Sequence, residues 1–169
     1  MKRIFFIVLF LVGAVSMNAQ GFKAGIAGGY ISELEGIGVS ADLIYELNEK
    51  WGVSNTTTFS VVEDRNIRTK WLALDLNGRY KIVDELYAIA GVEMLSLSYK
   101  NANDFGILTG SGDIPPSSTE FGGNLGAGYK INLIDNVNLF GEVKYTFIDN
   151  VVLASSGYIH ARLGLLFDF

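Results

Sequence analysis

The sequence places ionisable residues at alternate positions within otherwise apolar segments, and these residues are its clearest candidates for chemistry. In the last such segment, His160 and Arg162 alternate with Ile159, Ala161 and Leu163. Because residues two apart on a β-strand point to the same side, the segment has one charged face and one apolar face. Earlier segments repeat the pattern and predict a charge network inside one domain: Asp42, Asp75, Arg79, Lys130, Glu142, Lys144, His160 and Arg162.

Ion pairing is the chemistry that this set favours. Glu142 and Arg162 fall near mid-height on two neighbouring segments, so we expect them to face each other. Mixed charges packed in a narrow interior should pair, since an unpaired buried charge is costly. The prediction is a structural plug of side chains, and the alternative is a narrow path for ions.

Catalysis and metal binding are weakly indicated. His160 is the single histidine, and a metal site would need partners such as Asp42 or Glu142 at coordinating distance. A hydrolase or acyltransferase would have to use residues that lie close together in the sequence, namely Asp149, Ser155, Ser156 and His160. Nothing in the sequence fixes the order of a triad or an oxyanion site. We therefore predict no enzyme activity and no catalytic, cofactor or metal site.

The elements that must position these charges are β-strands, because apolar and polar residues alternate with period two. Eight strands are predicted, at about 20–31, 37–46, 51–62, 70–82, 86–99, 119–131, 137–148 and 157–169. Two strands are irregular. Asn55 and Thr57 share the apolar face of Trp51, and Glu93 shares a face with Tyr87, which a β-bulge near Gly91 would correct.

The connections alternate between short and long. Three short, polar turns are predicted at 47–50, 83–85 and 132–136, and longer loops at 63–69, 100–118 and 149–156, with 32–36 the shortest on the long side. Aromatic residues cluster near both ends of the strands and predict two girdles. One girdle contains Phe22, Tyr45, Trp51, Tyr80, Tyr87, Tyr129, Phe167 and Phe169, and the other contains Tyr30, Phe59, Trp71, Tyr99, Phe121, Phe147 and Tyr158. Short turns, long loops and two girdles are typical of barrels that cross a membrane.

The N-terminus has the layout of a cleaved signal peptide. Lys2 and Arg3 precede twelve uncharged residues, and Ala19 stands at a plausible cleavage site, so we expect 1–19 to be removed and 20–169 to form the domain. The mature chain then has 11 basic and 18 acidic residues, a net charge of −7, which argues against a nucleic-acid partner. The chain has no cysteine, which excludes disulfides and thiolate metal sites.

Membrane insertion through strands fits the remaining composition. After the signal peptide no apolar run approaches the roughly 20 residues of a membrane-spanning helix, although 49% of the chain is hydrophobic. Only helices and closed barrels satisfy backbone polar groups in lipid. A soluble barrel, such as a lipocalin-like binder, has the same alternation with the opposite side outward and is the alternative fold.

The last strand, Arg162-Leu-Gly-Leu-Leu-Phe-Asp-Phe169, ends on an aromatic residue with alternating apolar positions. Together with Asn18-Ala19-Gln20 and the glycine-rich strand Gly122–Tyr129, it resembles the small, OmpX-like outer-membrane β-barrels often labelled "porin family". The resemblance implies an all-β, eight-stranded antiparallel up-and-down transmembrane β-barrel in the outer membrane of a Gram-negative bacterium. It also implies that the strand ending at Phe169 is the signal read by the barrel-assembly machinery.

The function predicted from these features is a small integral outer-membrane barrel, plugged by side chains, which anchors surface loops for structural or interaction roles. Its expected partners are outer-membrane lipid, the assembly machinery and an unknown extracellular ligand bound by loop 100–118, since loops on rigid scaffolds often carry binding sites. A narrow porin-like channel for small solutes is the alternative. An outer-membrane enzyme is disfavoured.

Overall fold

The chain forms one closed, all-antiparallel β-barrel. A computed structural model describes residues 21–64, 67–101, 117–148 and 156–169. Eight strands follow one another in chain order: β1 (Phe22–Ile31), β2 (Gly36–Glu46), β3 (Trp51–Asp64), β4 (Ile67–Lys81), β5 (Leu86–Asn101), β6 (Ser117–Ile134), β7 (Val137–Ile148) and β8 (Gly157–Asp168). Each strand pairs with the next one, and β1 pairs with β8 to close the ring. The predicted eight-stranded up-and-down barrel is thereby confirmed.

The alternating pattern of the sequence places apolar side chains outside and ionisable ones inside. On β8 and β7, Leu163 and Val143 are 60% and 55% exposed, whereas Arg162 and Glu142 are 6% and 4% exposed. A soluble barrel would show the reverse, because its apolar residues would fill the interior. The exterior is therefore an apolar band around a polar interior, which is the distribution of a barrel that faces lipid.

β5 departs from the predicted faces. Its pairing with β4 and β6 is continuous, so there is no bulge near Gly91, and Tyr87, Ile89, Glu93 and Leu95 all point inward and are buried. The apolar residues of this face fill the interior, whereas Val92 on the other face is exposed. Within the described pairings a register shift occurs elsewhere, between Asn132 and Ile134 on β6.

Three aromatic residues assigned to the girdles lie inside the barrel instead. Tyr87, Trp71 and Tyr158 are 7%, 0% and 2% exposed. Each of them lies an even number of positions along its strand from a buried polar residue. Its side chain therefore points to the same side, into the barrel. Exposed aromatic residues still lie near both ends of the strands: Tyr30, Tyr45, Trp51, Phe59, Tyr80, Phe121, Tyr129, Phe147, Phe167 and Phe169. The side chain of Tyr99 lies outside the described ones.

The two ends of the barrel differ in their connections. At the short-turn end, 47–50, 82–85 and 135–136 join the strands, and both ends of the described chain lie there. In the described part of the long-loop end, a 3-10 turn at Ser32–Leu34 joins β1 to β2. The segment 63–69, predicted to be a loop, is mostly strand, because β3 and β4 continue until only 65–66 separate them.

Parts of the predicted chain organisation lie outside the described residues. These are the signal peptide, most of loop 100–118 and most of loop 149–156. Among the described residues, the structure contains no helix long and apolar enough to cross a membrane.

Candidate functional site

The centre of the lumen, the space enclosed by the strands, contains an arginine held by two carboxylates. Arg162 on β8 donates hydrogen bonds from Nη1 to Asp42 Oδ1 at 2.8 Å and from Nε to Glu142 Oε1 at 2.9 Å. Glu142 is its direct cross-strand partner on β7, and Asp42 reaches it from β2, across β1. All three side chains are buried. Glu142 and Arg162, which the sequence analysis expected to face each other, thus lie within hydrogen-bonding distance.

A lysine forms the second ionic group of the lumen. Lys144 Nζ lies 2.5 Å from Asp75 Oδ2 and 2.9 Å from Glu93 Oε2. Asp75 and Glu93 are directly opposite each other on β4 and β5, an arrangement in which two carboxylates repel. Lys144 comes from β7 on the far side of the ring, so its ammonium group holds together two strands that it does not pair with.

Polar neighbours complete both groups. Tyr87 Oη donates to Glu142 Oε2 at 3.0 Å, and Arg79 Nη1 lies 3.4 Å from the same oxygen. Thr146 Oγ1 donates to Glu93 Oε2 at 3.0 Å, and the Tyr158 hydroxyl donates to Glu93 Oε1. Charged groups in a low-dielectric interior need such partners, because each bond left unmade costs free energy.

An apolar layer of buried side chains lies in the lumen between this network and the long-loop end. Its members are Ile31, Trp71, Ala73, Leu95, Leu97, Ile148 and Tyr158. The Trp71 and Tyr158 rings meet edge to face, with centroids 4.9 Å apart. A smaller apolar cluster, Ala27, Ile44, Phe140 and Leu166, lies toward the short-turn end. The sequence analysis assigned Trp71 and Tyr158 to the lipid-facing girdle and therefore did not predict the apolar layer near the long-loop end.

The eight residues predicted as one network are only partly brought together. Asp42, Asp75, Arg79, Glu142, Lys144 and Arg162 form the ion pairs described above. His160 lies beside Lys144 on the neighbouring strand, buried, and its Nε2 has no hydrogen-bond partner among the described residues. Lys130 lies at the short-turn end, next to Lys23.

Glu93 is the charged residue that the sequence analysis left out of the network. The sequence indicated that Glu93 lies on the same face of its strand as Tyr87. Assigning that face to the interior would have identified both residues as part of the lumen.

The residues considered for catalysis do not form a site in the described part of the chain. His160 is buried in the lumen beside Lys144, whereas Ser156 is exposed at the start of β8. Asp149 and Ser155 lie outside the described residues. Within the described residues no group of three or more His, Cys, Asp or Glu side chains is arranged to hold a metal ion.

Comparison with known proteins identifies the fold. No family model matches the sequence, and no curated protein matches it. Among solved structures, a major outer membrane protein from Thermus thermophilus matches with a TM-score of 0.67 at 16% identity, covering 88% of this chain and 98% of that one. The N-terminal β-barrel domain of Pseudomonas aeruginosa OprF matches with a TM-score of 0.63 at 15% identity, covering 89% and 98%. Ail, the attachment invasion locus protein of Yersinia pestis, matches with a TM-score of 0.55 at 18% identity, covering 88% and 97%.

These likenesses and the surface of the barrel agree. The matched chains are covered almost completely, so the whole of this barrel corresponds to theirs. An apolar exterior around a charged lumen is the arrangement that a bilayer requires of such a fold. The chain is thus a small eight-stranded β-barrel of the outer-membrane type.

Proposed function

We propose that this barrel is a plugged outer-membrane anchor, which presents its long-loop end to the outside for structural or interaction roles. The observation that carries the proposal is the filled lumen. A buried ionic layer and a buried apolar layer lie one above the other, and neither leaves its side chains open to solvent.

The ionic layer opposes the passage of ions because its charges already bind each other. Arg162 is held by carboxylates from β2 and β7, and Lys144 by carboxylates from β4 and β5. A passing ion would have to break contacts made from both sides of the ring. A buried charge that loses its partner costs about 3–5 kcal/mol. Because opening the layer would separate such pairs, we expect it to open rarely.

The long-loop end supports an interaction role. Beyond Ser60, β3 continues to Asp64 while its pairing with β2 has ended at Gly38, so this part of β3 pairs with β4 alone in the described residues. β4 and β5 stay paired up to Ile67 and Asn101. At this end β3, β4 and β5 therefore extend as a paired ribbon beyond the end of the β2–β3 pairing, and residues 102–116 follow β5 in the chain. By its name Ail is an attachment protein, which is compatible with a barrel of this fold presenting a binding surface.

The partners in the membrane follow from the exterior and from the C-terminus. We propose that lipid covers the apolar band and that the barrel-assembly machinery reads the last strand. Phe169 is 67% exposed, and its backbone N–H donates to the carbonyl of Phe22 at 3.1 Å, so the terminal residue lies on the outside of the closing seam.

Conductance in planar bilayers tests the plug. We expect no steady channel from the wild-type protein. Arg162→Ala alone should also stay closed, because the apolar layer around Trp71 remains, whereas Arg162→Ala combined with Trp71→Ala should give a measurable leak.

Steady, sizeable channels from the wild-type protein would contradict the plug and favour the porin-like alternative. Phe59→Ala is the matched control, since it removes an aromatic ring from the outer surface near the same end of the barrel and leaves the lumen filled.

A further inference from the structure

The short-turn end of the lumen holds a cavity whose lining contains more basic than acidic side chains. Its volume is about 60 Å³, several times the roughly 10–15 Å³ that one water molecule requires. Five cationic side chains line it: Lys23, Lys50, Arg79, Lys81 and Lys130. The acidic lining residues are Glu46, Glu49 and Asp84. This excess of cations stands out in a chain whose net charge is −5.

Two lysines meet in this cavity, and only one of them forms direct ion pairs. Lys23 Nζ lies 3.1 Å from Glu46 Oε1 and 3.2 Å from Asp168 Oδ1. Lys130 lies directly against Lys23 and is also attracted by the Glu46 and Asp168 carboxylates, but it forms no direct ion pair with any described residue. Two neighbouring ammonium groups repel each other, and an anion between them would turn this repulsion into attraction.

Arg79 adds a second donor with free capacity. Its guanidinium stacks on the Tyr87 ring, 4.0 Å from the centroid, which fixes its plane. Its hydrogen bond within the described residues is a long one, from Nη1 to Glu142 Oε2 at 3.4 Å. A guanidinium carries five N–H donors, so donors remain for a group in the cavity that Arg79 lines.

The acidic lining residues form no direct ion pair with Lys130 or Arg79. Glu46 is engaged with Lys23. Asp84 is 94% exposed and lies 4.0 Å from Lys81. Glu49 is exposed on the 47–50 turn. Lys130 therefore has no direct ion pair among the described residues, and Arg79 has one long ion pair, to Glu142 at 3.4 Å.

We propose that this cavity is a binding site for a small oxyanion, a phosphate group or a similar tetrahedral anion, held by Lys130 and Arg79 with Lys23 beside them. Arginine and lysine together are the residues that proteins use to bind phosphate, arginine through its planar fork and lysine as a point charge. The site lies at the opposite end from the proposed interaction surface and does not depend on it.

Titration of the purified protein with inorganic phosphate tests the site, in phospholipid-free detergent micelles at low ionic strength, followed by NMR. The amides of Gly52 and Lys130, which belong to the cavity lining, should shift and saturate, while that of Phe147 at the far end should not. Lys130→Gln should weaken phosphate binding about tenfold, which corresponds to about 1.4 kcal/mol.

Lys70→Gln is the matched control, because it removes the same charge from an exposed position toward the long-loop end and should leave phosphate binding unchanged. Absence of saturable shifts, or equal weakening by both substitutions, would overturn the site. Phosphatidylglycerol added to the micelles identifies the source of the anion. Displacement of inorganic phosphate by this lipid assigns the site to a headgroup, and continued phosphate binding in its presence assigns it to a soluble anion.

Discussion

At the residue scale, the lumen depends on single cations that each serve two carboxylates. Lys144 separates Asp75 from Glu93, and Arg162 joins Asp42 to Glu142. Such ion groups are not strongly stabilising compared with apolar packing, because bringing the charges out of water is expensive. Their loss is nevertheless severe, since the remaining carboxylates would stay buried without a counter-charge.

Lys144→Met should therefore lower the free energy of unfolding by about 3–5 kcal/mol, the usual cost of breaking a buried pair. The measurement is the urea midpoint of the barrel in lipid vesicles, read from its heat-dependent migration on gels. Adding Asp75→Asn and Glu93→Gln to Lys144→Met should recover part of the loss, because the carboxylates are then neutral. Lys70→Met is the exposed control, and an unchanged midpoint for Lys144→Met would argue against the ion group.

At the element scale, neighbouring strands fit because large inward side chains lie opposite glycine. Tyr87 on β5 is the cross-strand partner of Gly128 on β6. A Cβ atom at Gly128 would lie 2.3 Å from Cζ and Oη of Tyr87. The ring cannot easily move away, since Arg79 stacks on it and its hydroxyl binds Glu142.

Gly128→Ala should consequently destabilise the barrel by about 1–3 kcal/mol, as overpacking of a filled interior usually does. Gly28→Ala offers a control on β1, because a Cβ atom there meets nothing within 4 Å and would point into lipid. Urea midpoints of the two variants provide the comparison. Equal midpoints would mean that the Tyr87 ring is not fixed as described.

The strands were predictable from the sequence, but the side facing inward on β5 was not. Period-two alternation located all eight strands, and charges marked the inner face on β2, β4, β7 and β8. On β5 the inner face carries one charged residue together with the apolar residues Tyr87, Ile89, Leu95 and Leu97. Its composition therefore resembled that of a lipid-facing side. The same limit concealed the apolar layer around Trp71. Distant pairs such as Lys144 with Asp75 depend on how the ring closes, which a linear pattern does not contain.

At the scale of the whole molecule, the barrel combines an apolar exterior with a seam that closes between the first and last strands. Phe169 lies at that seam, where its ring is 6.2 Å from that of Phe22. An exposed terminal aromatic contributes little to the packing of the barrel. Its proposed role is recognition during assembly.

Phe169→Ser should accordingly reduce the amount of protein in the outer membrane several-fold while refolding in detergent micelles stays near the wild-type level. Fractionation of membranes, with migration on gels before and after boiling, measures the first quantity, and the same gels measure refolding. Phe169→Tyr should restore assembly. Equal losses in cells and in micelles would indicate a stabilising contact instead of a recognition signal.

The ion groups of the lumen also bear on how the ring is completed. Arg162 on β8 meets Asp42 on β2 across the closing seam, and Lys144 on β7 meets Asp75 on β4 from the far side. No single hairpin of two neighbouring strands contains all the members of either ion group. Until the remaining strands join the barrel, we expect some carboxylates to lack their cation. A slip of one residue would turn these charges toward lipid. We therefore expect the network to favour complete, correctly registered rings over partial ones.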